Sequence, residues 1–217
     1  MNIYQIIGLI AVSAITITHL IFLLLNKEKQ AVFTKSFVIT SVIIFAIISK
    51  ETNPLIYISL VLVLVSDLLM TVYKNNIFFV IGISSLLIAN ILSFIITSSN
   101  LPSRFNLCYF GIIIFMGYLL VESFRPLAKK KMKKFSYLCL THLYSIIALF
   151  VNIFILTVSS FNIYYLLILS GSLLLLTSAN LLVVNRMVKK IKKAEFIISL
   201  FGMVGQILIF TSLILCF

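Results

Sequence analysis

Charge is what this sequence has least of. Only 10% of its 217 residues are charged, against about 25% in an ordinary soluble domain. The hydrophobic share is 62% and the mean hydropathy +1.24. A water-soluble fold of this length cannot hide so much apolar surface, because a small domain buries only part of what its chain exposes. A soluble catalytic domain is therefore excluded. Cysteine is scarce and scattered: Cys108, Cys139 and Cys216 stand singly, which rules out a disulfide framework and paired metal-ligand spacing. They read as packing residues. Tryptophan is absent, and richness in Lys, Ile, Asn and Phe alongside that absence fits a bacterial inner membrane. With seven Gly and three Pro, the helices are not strongly broken, unlike the discontinuous helices of many transporters. Alternation over about ten residues, the mark of a membrane β-barrel, is missing as well.

What is present is a series of apolar runs. A spanning helix takes about 20 residues, and the runs predict eight at 3–25, 34–49, 54–73, 77–98, 106–124, 135–158, 163–185 and 195–216. The expected fold is an all-α polytopic membrane bundle in one domain, residues 1–217. Short polar breaks separate the runs, among them Thr52-Asn53-Pro54, Ser98-Ser99-Asn100-Leu101-Pro102, Arg125-Pro126 and Ser159-Ser160-Phe161-Asn162. The first run lacks a basic start and a small-residue cleavage site, so it reads as a span rather than a cleaved signal.

The net charge of +12 finds its explanation on this map. Lys27, Lys29 and Lys35 follow the first run, Lys74 the third, the Arg125–Lys134 cluster the fifth and the Arg186–Lys193 cluster the seventh. Only Lys50 and Arg104 fall on the other side. By the positive-inside rule the odd-numbered loops are cytoplasmic and both termini lie across the membrane. The basic loops can also hold anionic head groups of membrane lipids. No aromatic-studded basic fold accompanies them, so nucleic acid is not an expected partner.

Polar residues inside the spans carry the functional signal. Of the five acids, Glu28, Glu51, Glu122 and Glu195 lie at the ends of runs or in loops, and Asp67 lies inside one, at a cost of about 2.5–3.5 kcal/mol near mid-membrane. It is either a functional group facing the interior or a structural carboxylate bonded to hydroxyls. Asn90, Ser178, Asn180, Asn185 and Gln206 are the other embedded polar groups, and amides in spans commonly bond helix to helix. His19 and His142 have no partner at metal-ligand spacing, so no metal is expected. A faint repeat is visible too. Ser66-Asp67-Leu68-Leu69 closes the third run with Asn90 following, and Ser178-Ala179-Asn180-Leu181-Leu182 closes the seventh with Gln206 following. Two parallel four-helix repeats around a shared centre would explain it.

At these residues the chain resembles the YhhN-type membrane proteins, whose animal members are lysoplasmalogenases. That family opens its second helix with Lys-Pro-Leu, where Lys35-Ser36-Phe37 stands here. Its Gly-Asp-x-Leu-Leu matches Ser66-Asp67-Leu68-Leu69-Met70, and the frame of its next helix falls on Phe79, Gly82, Leu86, Asn90 and Ser93. The later Gly-Ala to Asn-Arg-Phe stretch matches Gly171-Ser172 through Ser178-Ala179-Asn180 to Asn185-Arg186-Met187, and the last helix offers Gly202 and Gln206. The resemblance implies cleavage of the vinyl-ether bond of a lysophospholipid, without a cofactor. Asp67 and Asn90 would be catalytic. Lys35, Ser66, Ser178, Asn180, Asn185, Arg186 and Gln206 would hold the lysophospholipid or a related ether lipid. Two departures stand against it, since Ala179 replaces the family's second aspartate and Asn90 its histidine. Alanine cannot transfer a proton, and Asn180 points about 100° away from it around the helix. Three readings stay open: an ether-lysolipid hydrolase, a lapsed member that binds or senses lysolipid, and a small proton-coupled transporter.

Overall fold

The structure is a computed structural model, described at residues 2–25, 28–72, 76–101, 111–119, 122, 136–187 and 193–216. Its elements are α1 (Ile3–Leu24), α2 (Glu28–Ile48), α3 (Pro54–Val72), α4 (Asn76–Ser98), α5 (111–119), α6 (Ser136–Ser159), α7 (Ile163–Met187) and α8 (Ala194–Cys216). Most boundaries lie within a residue or two of the apolar runs. The second does not: α2 begins at Glu28 rather than 34. Glu28, Lys29 and Gln30 end the apolar run but are good helix formers, so the helix runs through them. Of the expected fifth helix, only 111–119 and residue 122 are described. Lys27, Lys74, Arg104, Cys108, the Arg125–Lys134 cluster and most of the cluster after α7 lie outside the described residues.

Local chemistry sets the helix ends. Asn2 accepts from the Gln5 N–H at 2.9 Å while the Asn2 N–H donates to Gln5 Oε1 at 2.9 Å, a reciprocal cap on α1. α2 stops where Lys50 turns left-handed at φ 56°, and the Glu51 N–H reaches back to the Ala46 carbonyl at 3.1 Å. Glu51 Oε1 then accepts from the N–H groups of Thr52 and Asn53, both at 2.8 Å. Asn53 caps α3 through the Leu55 N–H at 3.0 Å, with Pro54 at the first helical position. The α2–α3 corner is thus bonded within itself.

The bundle is apolar on the outside and polar within. Tyr4, Ile10, Ile17, Ile21, Ile44, Ile88 and Phe154 are exposed, whereas Asp67, Asn90, His142, Asn152 and Gln206 are buried. Water would oppose that arrangement and hydrocarbon favours it. Among the described residues, five helices are long and apolar enough to cross a membrane: those spanning Ile3–Leu24, Ile77–Ser98, Tyr137–Ser159, Ile163–Asn185 and Phe196–Cys216. Two shorter apolar stretches, Thr34–Ile48 and Pro54–Met70, lie in α2 and α3. The chain is a helical membrane bundle.

Neighbour relations form a ring in which α2 packs on α3, α3 on α4, α4 on α6, α6 on α7, α7 on α8 and α8 back on α2. The sequence of contacts in α2–α3–α4 recurs in α6–α7–α8. Two side contacts match as well. α1 packs on α2, with Phe45 against Gly8, and α5 packs on α6, with the Tyr144 ring against Gly117 and Ile113 against Ile147 and Val151. One apolar cluster links seven helices through Val12, Phe45, Leu60, Ala89, Leu149, Ile168 and Phe210.

Close approach of backbones holds the two halves of that pattern. Gly171 on α7 and Gly205 on α8 face each other so tightly that a Cβ on either would meet the other's carbonyl at 2.7 Å. The Gly202 position meets Ser178 Oγ at 3.0 Å, and on the other side Gly82 of α4 meets the Ser66 carbonyl of α3 at 3.3 Å. Small residues at such crossings are how helices associate where no hydrophobic force drives them together. Gly205→Ala is therefore expected to cost about 1–3 kcal/mol by overpacking. Gly111→Ala, with nothing within 4 Å of the added carbon, is expected to be neutral or to stabilise by up to about 1 kcal/mol. Unfolding midpoints of the two variants in detergent check the contrast.

Candidate functional site

Lys35 comes from α2 and Asp67 from the last turns of α3, and their side chains form an ion pair, Nζ to Oδ1 at 2.8 Å. Both are largely shielded, with 19% of the lysine and 8% of the aspartate side chain exposed. Because α2 starts at Glu28, Lys35 sits about two turns inside its helix rather than at a frayed end. The pair compensates the charge that Asp67 brings into the span, as an ionised group there requires. Removing one partner takes a charge out of a largely shielded pair, the costly way to break it.

Next to this pair a histidine locks three helices. His19 of α1 places Nδ1 2.9 Å from Thr34 Oγ1 on α2 and Nε2 3.4 Å from Ser199 Oγ on α8. Thr34 donates its own hydroxyl to the Gln30 carbonyl at 2.9 Å, so Thr34 Oγ1 accepts from the imidazole.

A second polar contact joins α4 to α6. Asn90 Nδ2 lies 3.4 Å from His142 Nδ1 and 3.4 Å from Ser145 Oγ. Ser145 spends its hydroxyl proton on the His142 carbonyl at 2.7 Å and so accepts from Asn90, which sets the amide's orientation. His142 Nδ1 then accepts the other amide hydrogen. An imidazole does stand at this level of the bundle, but α6 supplies it. Further along the same crossing, Asn152 Nδ2 reaches Thr97 Oγ1 at 2.6 Å, Ser98 Oγ at 3.0 Å and the Phe94 carbonyl at 3.2 Å.

The two centres are distinct. Asn90 lies eight residues beyond Gly82, which faces Ser66, so it stands about 12 Å of helix rise from the level of Asp67. Side chains lean toward the N-terminus of their helix. Asp67 on the antiparallel α3 therefore leans toward Asn90, and Asn90 leans toward Asp67.

The remaining expected site residues divide. The Ser66 hydroxyl is fully buried and contacts Met70 Sδ at 3.5 Å. Ser178 donates to the Ile198 carbonyl at 2.8 Å, which assigns it to the α7–α8 crossing. Gln206 is buried on α8, and no described residue hydrogen-bonds its side chain. Asn180 and Asn185 are half-buried on α7. Arg186 belongs to α7, but its side chain lies outside the described residues. Ala179, the residue after Ser178, belongs to the main apolar cluster. In the frame set by Gly82 and Gly202, Asn90 corresponds to Phe210 and Gln206 to Leu86, so the two amides are not equivalents. Sequence reasoning saw His142 but not its contact with Asn90, and it passed over Asn152. Neither contact leaves a periodic trace, since the partners stand 52 and 55 residues apart.

A bundle with a lipid-facing exterior, an interior ion pair and an amide–imidazole contact is an integral membrane protein with polar interior centres. The YhhN family model matches residues 30–213, and the chain belongs to that family. No curated protein and no solved structure matches it.

The Asn90 contacts yield a stability prediction. Asn90→Leu strips hydrogen-bond partners from His142 Nδ1 and Ser145 in a buried setting and is expected to cost about 1–3 kcal/mol. Asn90→Leu combined with His142→Leu is expected to cost less than the sum of the two. A double-mutant cycle on unfolding midpoints gives the coupling.

Proposed function

We propose that the protein is a membrane-embedded hydrolase of ether lysophospholipids, cleaving a vinyl-ether bond as its family resemblance implies. The observation that carries this reading is an acid inside α3, Asp67, held by a largely shielded lysine. The reaction converts R–CH=CH–O–R′ and water into R–CH₂–CHO and HO–R′. It begins with proton delivery to the outer vinyl carbon, which makes the carbon next to oxygen electrophilic. Water adds there, and the hemiacetal collapses to the aldehyde and the glycerophospho-head group. Asp67 is the proton donor in this reading, a role worth about 10²–10⁴-fold in rate. Asn90, held by His142 and Ser145, orients the water. Gln206 offers the lipid an amide with open hydrogen-bond capacity. Lys35 binds the phosphate, joined by Asn185 and Arg186 near the same end of the bundle.

The topology that goes with this reading has eight spans in two parallel four-helix halves. Both termini lie outside the cytoplasm of a bacterial inner membrane, and the site opens toward the basic loops. The support is the charge asymmetry of the loops and the recurrence of helix contacts.

A second reading has its own observation. Ala179 packs in the apolar cluster, and the family's histidine position holds an amide, which orients but does not titrate. A lapsed member would bind the lysolipid without cleaving it.

Turnover separates the two. The purified protein, given lysoplasmalogen beside its ester and alkyl-ether analogues, is expected to release aldehyde from the vinyl ether alone, followed by mass spectrometry. Asp67→Asn should lower the rate by about 10²–10⁴-fold with the fold intact. Ser178→Ala should leave it within a few-fold, because the hydroxyl is engaged with Ile198. No product from a folded sample that still binds the lipid would establish the binding reading.

A further inference from the structure

We infer that Asn90 and His142 form a binding site for a free hydroxyl group, filled by the unesterified glycerol hydroxyl that sets a lysolipid apart from an intact phospholipid. This rests on lysolipid binding, which the hydrolase and lapsed-member readings share, and not on the charge state of the ion pair.

Both side chains are shielded, with each residue 5% exposed, and each keeps one polar atom unspent. Asn90 turns its amide nitrogen to His142 Nδ1 and Ser145 Oγ, both at 3.4 Å. Ser145 gives its own proton to the His142 carbonyl at 2.7 Å, which fixes the nitrogen side of the amide and leaves Asn90 Oδ1 to accept. No described residue donates to that oxygen. With Nδ1 accepting from Asn90, the proton of the neutral ring sits on Nε2. No described residue accepts from it. An open acceptor and an open donor therefore belong to two side chains already in contact.

Away from water, an unspent polar group is a standing cost until something pairs with it. The complement of one donor beside one acceptor is a group that both accepts and donates, and a hydroxyl does so through a single oxygen. An ester carbonyl, an ether oxygen or an aldehyde only accepts, which leaves Asn90 Oδ1 unpaired. An ammonium only donates, which leaves His142 Nε2 unpaired. Among the parts of a phospholipid, the free glycerol hydroxyl is thus the group that satisfies both atoms.

The placement agrees with this occupant. Asn90 stands about 12 Å of helix rise from the level of Asp67, and its side chain leans toward that end of the bundle. A lysolipid whose phosphate lies at the basic-loop end carries its glycerol inward along α4, toward Asn90. A second acyl chain on the glycerol removes the hydroxyl hydrogen and with it the bond to Asn90. Selection for lysolipids then resides in the α4–α6 contact rather than in the head group.

The test uses the full chain in detergent and three non-cleavable alkyl-ether phospholipids that differ only at the second glycerol carbon, which bears hydroxyl, hydrogen or methoxy. Binding is followed by calorimetry. Wild type is expected to bind the hydroxyl lipid at least about tenfold more tightly than either analogue, the worth of two hydrogen bonds. Asn90→Leu and His142→Phe, each checked for folding by its unfolding midpoint, are expected to bring the three affinities within about twofold of one another. The variants lie on different helices, so either one reads the ratio if the other does not fold. A preference for the hydroxyl lipid that persists in a folded variant makes that residue structural only and overturns the inference. Equal affinity of wild type for the three lipids also overturns it, leaves lipid binding intact and gives the open atoms to water. Glycerol 3-phosphate binding as tightly as the hydroxyl lipid overturns the lipid source. Wild type that binds none of the three removes the lysolipid readings themselves, and this inference with them.

Discussion

In hydrocarbon a polar side chain finds its partner inside the protein or goes without, and the rest of this bundle depends on that constraint. Unsatisfied groups cost several kcal/mol there, so the few polar residues within the spans decide which helices face which. His19 ties α1 to α2 and α8, Lys35 ties α2 to α3, and Asn90 and Asn152 tie α4 to α6. Most links of the ring therefore carry a polar crossing or a close glycine contact. Apolar side chains fill the space between without choosing the partner, because lipid suits them equally well.

The two halves of the ring share an order of contacts but differ in content. On one side the α3–α4 crossing places Ser66 against Gly82 and carries Asp67 one residue on. On the other, α7–α8 places Ser178 against Gly202, and the next residue is Ala179, absorbed into apolar packing. The charged group stands on one side only among these two crossings. The ion pair and the amide–imidazole contact stand at different levels of the bundle, one near the end of α3 and the other toward its middle. The lean of α3 and α4 side chains toward each other suits a ligand lying along that line.

Much of this is legible in the amino-acid sequence. Eight apolar runs, the Asn53-Pro54 start of α3 and the solitary acid at Asp67 follow from composition, caps and the cost of charge in a span. Less visible is what Asp67 meets. With α2 expected to begin at 34, Lys35 reads as a helix-end cation facing phosphate; Glu28, Lys29 and Gln30 extend the helix, and the lysine becomes an interior partner instead. Nor is the Asn90–His142 contact readable, because the register between two helices is set by side-chain fit at the crossing and leaves no pattern along either chain. Ser178 illustrates the converse. A hydroxyl at a motif position reads as a ligand-binding group, and the close approach of α8 turns it to a backbone carbonyl.

The His19 contact also says something about how the molecule is made. Its two partners are separated by very different lengths of chain: Thr34 follows 15 residues later, Ser199 only after 180. At roughly 5–20 residues per second, the ribosome delivers α8 some ten to forty seconds after α1. Through that interval α1 and α2 can pair, but the imidazole's second nitrogen has no Ser199 to meet and α8 is not there to close the ring. The nascent bundle is an open arc whose gap coincides with the end where Lys35 and Asp67 stand. Closure of the ring therefore waits for α8.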